Sequence, residues 1–168
     1  MELGMVGLGR MGANLTRRAM RAGHRLVVTD VNADTVQTLA DEGAVGASSL
    51  DALVAALAPP RAVWVMVPAG EITERAVADL TDRLEPGDVI IDGGNTHYHD
   101  DIRRAASLAE RGIDYLDVGT SGGVFGLERG FCLMIGGAEA AFARLEPIFA
   151  ALAPGTGTID RTPGRDGE

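Results

Sequence analysis

Lysine is absent. All 15 basic residues are arginine, so the chain has no lysine to act as a base. Cysteine is nearly absent: Cys132 alone permits neither an internal disulfide nor a thiolate zinc cage. Its place between Phe131 and Leu133 reads as core. No apolar run reaches the ~18 residues of a membrane span. The longest candidate, near 52–69, is broken by Pro59, Pro60 and Arg61, so no membrane partner is expected. The opening MELGMVGLG is too short and too glycine-rich for a signal peptide. Positive charge is in deficit. A net charge of −9 repels phosphate backbones, so nucleic acid is not an expected partner either. These absences point to a reduced, cytoplasmic protein.

The 168 residues suit one domain, and a chain of that size buries about 70% of its unfolded surface. Hydrophobic residues at 46% and charged residues at 23% are ordinary for a globular fold. Strand and helix patterns alternate along the chain. Strands are predicted at 3–6, 25–30, 62–67, 89–92, 113–118 and 131–135. Helices are predicted at 11–22, 33–41, from a Ser48 or Ser49 cap to 57, and at 71–84, 98–111 and 138–152. Short connections between alternating elements predict an α/β fold: a doubly wound, mainly parallel sheet with helices on both faces, in a single domain. A glycine-rich segment, 119–130, interrupts the pattern. Residues 1–153 read as the domain and 154–168 as a linker or tail.

Gly7-Leu8-Gly9-Arg10-Met11-Gly12 is GxGxxG. It follows a predicted strand and opens a predicted helix, the setting in which such a loop binds a dinucleotide and the fold is Rossmann-like. Gly7 suits the tight turn, Gly9 lets a pyrophosphate reach the backbone, and Gly12 lets helix and strand pack. The helix N-terminus then offers free N–H groups to the phosphates. Asp30 ends the second strand 18 residues after Gly12, near the ~20 at which an acidic residue meets a ribose. It would repel a 2′-phosphate; the alternative is that it caps the next helix. Three further strand ends should open onto the same crevice. They carry Val67-Pro68-Ala69-Gly70, Asp92-Gly93-Gly94-Asn95 and Gly119-Thr120-Ser121-Gly122-Gly123. Asn95 can donate and accept at once, and Ser121 with the next two N–H groups can hold a carboxylate or alkoxide.

GLGRMG, IDGGN and DVGTSGGVFG, in this order and at these intervals, resemble the decarboxylating 6-phosphogluconate dehydrogenases. The resemblance covers essentially the whole chain, but only the N-terminal, cofactor-binding half of such an enzyme. IDGGN is its specific motif; the related 3-hydroxyacid dehydrogenases have a different strand end there. By position, the resemblance implies that Gly7, Leu8, Gly9, Arg10, Met11, Gly12, Asp30, Val31, Asn32, Val67, Pro68 and Ala69 contact the dinucleotide. Asn95 would touch cofactor and substrate. Ser121, Gly122 and Gly123 would hold 6-phosphogluconate. Members that use NADP typically carry Asn-Arg-Ser/Thr where this chain has Asp30-Val31-Asn32, which implies NAD rather than NADP. The family oxidises its substrate by hydride transfer to nicotinamide and then releases CO2 to give ribulose 5-phosphate, in the pentose phosphate pathway or in gluconate utilisation. Its lysine base and glutamate acid lie in a second, helical domain, soon after a segment matching Pro163 to Glu168, and this sequence holds no catalytic residue of that pair. Full-length members are expected to be homo-oligomers through that domain. Two other readings stay open: the cofactor domain of a 3-hydroxyacid dehydrogenase, and a dinucleotide-binding module without chemistry.

Other residues read more plainly. His97, His99, Asp100 and Asp101 suit a helix's first turn rather than a metal site, and no metal is expected. His24, at a turn, is expected to be exposed and Trp64 to be core. Arg17-Arg18 and Arg103-Arg104 read as solvated helix faces.

Overall fold

The computed structural model describes residues 1–155. The linker reading of 154–168 therefore lies almost wholly outside the described residues. In chain order the elements are β1 (Glu2–Val6), α1 (Arg10–Arg21), β2 (Arg25–Thr29), α2 (Ala33–Asp41), β3 (Val45–Gly46), α3 (Leu50–Ala55), β4 (Ala62–Val65), α4 (Glu71–Thr81), β5 (Val89–Asp92), α5 (Tyr98–Ala109), β6 (Asp114–Ser121), α6 (Gly126–Arg129), β7 (Cys132–Gly137) and α7 (Glu139–Leu152).

The sheet order is β3-β2-β1-β4-β5-β6-β7. Every pair is parallel except β6–β7. The central strands AVWV and VIID are buried at every position, because helices cover both faces of the sheet. Alternate residues serve opposite faces. Leu3, Met5, Trp64, Ile91 and Leu116 pack with Leu15 of α1, Leu39 of α2 and Ile148 of α7. Val27, Val63, Val65 and Ile90 pack with Leu53 of α3, Val77 of α4 and Leu108 of α5. The strand order reverses between β1 and β4. Loops at the carboxyl ends diverge there and leave a crevice.

Several expectations change. The two-residue β3 was not anticipated: it exists only through its pairing with β2. Strand β6 runs on to Ser121, so the glycine-rich segment begins as strand, then turns and forms the one-turn α6. Cys132 is exposed rather than core, because β7 is an edge strand with a partner on one side only. His24 is half-buried against the chain's first residue, its Nδ1 3.2 Å from the Met1 amine. Arg18 is not solvated. Its guanidinium donates to the carbonyl oxygens of Ala151 (3.0 Å), Leu152 (2.9 Å), Ala153 (2.7 Å) and Leu127 (3.2 Å). It thereby caps α7, whose last carbonyls have no partner inside the helix.

Candidate cofactor and substrate site

The turn from β1 into α1 is fixed by two close approaches. Gly7 sits at φ 94°, and a Cβ there would stand 2.5 Å from the Met66 carbonyl oxygen. A Cβ at Gly12 would collide with the Gly7 carbonyl oxygen. Gly9 is different. Its backbone (φ −59°, ψ −176°) suits any residue, and a Cβ there meets nothing within 4 Å. The open space lies in front of the N-terminus of α1, which has no side-chain cap and no acidic residue in its first turn. Uncapped N–H groups, the positive dipole end and bare backbone make a cradle for a phosphate. A pyrophosphate therefore fits these residues.

Two clefts meet at this loop. One, about 710 Å³, is lined by Gly7, Gly9, Asp30, Val31, Met66, Val67 and Pro68, with Ser48, Ser49, Ile72, Arg75 and Asp79. The other, about 600 Å³, runs past Gly9, Arg10, Met11 and Gly12 to Gly93, Gly94, Asn95, Thr120, Ser121, Gly122 and Gly123. Both include Gly9, Met66, Val67 and Pro68, so the loop stands at the middle of one elongated crevice. A dinucleotide has that shape, with its pyrophosphate between two nucleosides.

Asp30 does not cap α2; Asn32 does, accepting from the Asp34 N–H at 3.0 Å. The Asp30 carboxylate ties two backbone segments together. Oδ2 accepts from the Leu8 N–H at 2.5 Å, and Oδ1 from the Asn32 N–H at 2.8 Å. Each oxygen keeps a second lone pair, and the residue lines the first cleft, so ribose hydroxyls can be accepted there. Val31 is fully exposed beside it. Leu8 is buried and its N–H is engaged, so its part is to hold the loop. Ala69 and Asn32 are exposed but line neither cleft.

At the far end, Asn95 is exposed and adopts φ 56°. Ser121 is exposed at the end of β6, and the turn after it passes through Gly122 and Gly123, at φ 145° and 52°. His97 is the N-cap residue of α5, and Asp100 and Asp101 lie in its first turn. Among the described residues no group of three His, Cys, Asp or Glu is placed to hold a metal ion. No helix there is long and apolar enough to cross a membrane.

The sequence reading missed residues on both sides of the crevice. Ser48, Ser49, Ile72, Arg75 and Asp79 join the first cleft only because α3 and α4 fold over it. Arg104, read as solvated, is 4% exposed and lies on Asp92 (3.1 Å) and Glu74 (2.9 Å). The signal was present: Asp101, Arg104 and Leu108 are spaced i, i+3, i+7, the inward stripe of α5.

A doubly wound sheet with this loop at its switch point is a Rossmann-type dinucleotide-binding domain. The family model for the NAD-binding domain of 6-phosphogluconate dehydrogenase matches residues 2–159, and the chain belongs to that family. It is 44% identical over 155 residues to the NAD(+)-dependent, decarboxylating 6-phosphogluconate dehydrogenase of Haloferax volcanii, covering 92% of this chain and 51% of that protein. It is 38% identical over 160 residues to the decarboxylating 6-phosphogluconate dehydrogenase of Haemophilus ducreyi, covering 33% of it. The chain thus spans between a third and a half of these relatives. Among solved structures, the Plasmodium falciparum 6-phosphogluconate dehydrogenase superposes with a TM-score of 0.85 at 28% identity, over 94% of this chain and 35% of that one. A 3-hydroxyisobutyrate dehydrogenase of Mycobacterium tuberculosis gives 0.83 at 27% identity, over 91% and 52%.

Proposed function

We propose that residues 1–153 are the cofactor-binding unit of an NAD-preferring, decarboxylating 6-phosphogluconate dehydrogenase. The observation that carries the preference is Asp30, whose carboxylate lines the cleft beside exposed Val31, with no arginine at either position. A 2′-phosphate about 4 Å from a carboxylate costs about 4 kcal/mol at an effective dielectric of 20, and screening leaves roughly 1–3 kcal/mol. That corresponds to roughly five- to 150-fold in affinity. The 44% identity to an NAD(+)-dependent enzyme supports the same reading.

In this reading the loop Gly7–Gly12 holds the pyrophosphate, and Asp30 holds the adenosine ribose. Bound by these residues, the dinucleotide would supply a hydride acceptor at its nicotinamide end. Asn95, Ser121, Gly122 and Gly123 bind and orient 6-phosphogluconate, the substrate named for the Plasmodium falciparum enzyme. The chain has no lysine, so it supplies no lysine base for the substrate hydroxyl. His97 and His99 stand on the next helix, beyond Asn95. These 168 residues on their own are therefore expected to bind NAD(H) and to form no NADH from 6-phosphogluconate. Calorimetric titration with NADH and NADPH, followed by an absorbance assay with NAD and 6-phosphogluconate, tests both statements. Equal affinities refute the cofactor assignment, and robust turnover by the isolated chain refutes the division of labour.

A further inference from the structure

Beneath the Gly93–Thr96 turn lies a buried polar group with no part in the cofactor or substrate contacts above. Asp92 ends β5 and is 1% exposed. Its Oδ1 accepts from the Gly94 N–H at 2.8 Å, and its Oδ2 from the Thr96 hydroxyl at 2.8 Å. One carboxylate therefore grips the chain on both sides of Asn95. Asn95 is the sole non-glycine residue with positive φ among the described residues. Asparagine tolerates that conformation better than most, but it still needs a surrounding structure that imposes it. Room for other arrangements is small, since a Cβ at Gly94 would already stand 2.9 Å from the Val67 carbonyl oxygen.

Asp92 is held from below in turn. Arg104 Nη1 donates to Oδ2 at 3.1 Å, and the Tyr115 hydroxyl lies 2.9 Å from the same oxygen. That hydroxyl is also 2.8 Å from Asp101 Oδ1. A phenol has one proton for two acceptors. When Tyr115 donates to Asp92, the Asp101 contact is a hydrogen bond only if Asp101 brings its own proton. Burial raises the Asp101 carboxyl above its ordinary range, and its Oδ2 is buried without a partner. Arg104 Nη1 stands 3.7 Å from Asp101 Oδ1 as well, so the guanidinium and the phenol tie both carboxyl groups into one buried cluster under the turn.

We propose that Asp92 is a positioning residue, whose carboxylate, braced by Arg104 and Tyr115, sets Asn95 in its left-handed conformation at the nicotinamide end of the crevice. This rests on the reading of that end as the nicotinamide and substrate side. Removing the Thr96 hydroxyl isolates the effect, because it breaks the grip on the far side of Asn95 and leaves the Gly94 N–H, Arg104 and Tyr115 on Asp92.

The test uses the 168-residue chain with Thr96→Val, Thr96→Ser and Asp92→Asn. Three quantities are read: thermal midpoint, affinity for NADH and for AMP, and the HN–Hα coupling and carbon shifts of Asn95, which report its φ. For Thr96→Val the Asn95 signals should leave their left-handed values. NADH should bind about three- to tenfold more weakly, the effect of one ordinary lost hydrogen bond. AMP, which occupies only the adenosine side, should bind unchanged, and Thr96→Ser should restore the wild-type pattern. Asp92→Asn should act more strongly, since its NH2 would face donors. Unchanged Asn95 signals in Thr96→Val overturn the proposal. So does a parallel loss of NADH and AMP affinity, which would mean general damage. Should the wild-type chain bind neither nucleotide, the functional reading fails, and the Asn95 signals alone decide the positioning role.

Discussion

Placing one methyl group at Gly9 and, separately, at Gly12 separates a binding role from a packing role within four residues. At Gly9 a Cβ meets nothing within 4 Å, and the backbone is already in a region open to alanine. Two small effects oppose each other there. Alanine narrows the unfolded ensemble and gains roughly 0.4–1 kcal/mol. It is also a poorer N-cap than glycine, by roughly 0.5–1 kcal/mol. The net change in stability for Gly9→Ala should lie within about 0.5 kcal/mol of zero. At Gly12 the added carbon would overlap the Gly7 carbonyl oxygen, which is backbone and already fixed by the turn. Helix α1 must move off β1, at a cost of about 1–3 kcal/mol or more. For a domain of this size that lowers the thermal midpoint by at least roughly 2–4 °C.

Binding should sort the other way. In the proposed reading the methyl of Gly9→Ala occupies the space a pyrophosphate needs, and Gly9→Val fills it. NADH affinity should fall at least about tenfold for alanine and beyond detection for valine, while circular dichroism stays native. Calorimetric titration beside a thermal melt is the assay. Wild-type NADH affinity in Gly9→Val would refute the argument, because the open space would then not be the phosphate cradle. A Gly12→Ala variant as stable as wild type would refute the packing half.

Arg18→Met keeps the side chain's apolar stem and removes its bonds to the ends of α6 and α7; the loss should be about 2–3 kcal/mol by denaturant titration, and a change under about 0.5 kcal/mol would show that water replaces the guanidinium. Arg103, with Arg104 beside it, holds the Glu74 carboxyl at about 2 instead of its ordinary 4.5. A lowered folded-state value means stability that is present above about 4.5 and lost as pH falls towards 2. Glu74→Gln should therefore destabilise at pH 7 and flatten the acid side of the stability profile, and an unchanged slope between pH 4.5 and 2 would contradict this. Asp30→Asn with Val31→Arg should narrow or invert the NADH:NADPH affinity ratio. Part of the gain will be offset, because asparagine has one acceptor oxygen for the two N–H groups of Leu8 and Asn32.

Which features were readable from the chain follows from how local their physics is. Central strands were legible because burial on both faces demands an unbroken apolar run, as in AVWV and VIID. The edges of the sheet were not. Val45–Gly46 is a strand only because β2 offers it a ladder, and the antiparallel course of β7 leaves no mark on its composition. Cys132 was placed inside on the strength of its apolar neighbours, yet an edge strand turns part of such a run outward.

The same distinction divides the site. Gly7, Gly9 and Gly12 each answer a demand made at their own position, for a turn, an open cradle or a close approach, so one residue type in one spacing announces them. The groups that hold the site in shape answer demands from elsewhere in the chain. Asp30 meets Leu8 22 residues away, Tyr115 meets Asp92 23 away, and Arg104 meets Asp92 12 away. A lone arginine or aspartate in the sequence looks solvated, since burial of either is too costly unless a partner waits. The partner becomes visible only when the sheet brings β5 beside β6 and packs α5 on them. The inward spacing of Asp101, Arg104 and Leu108 is the one local trace of it. Two charged residues on a helix's apolar stripe imply a buried partner, and here that partner stands under the turn that presents Asn95.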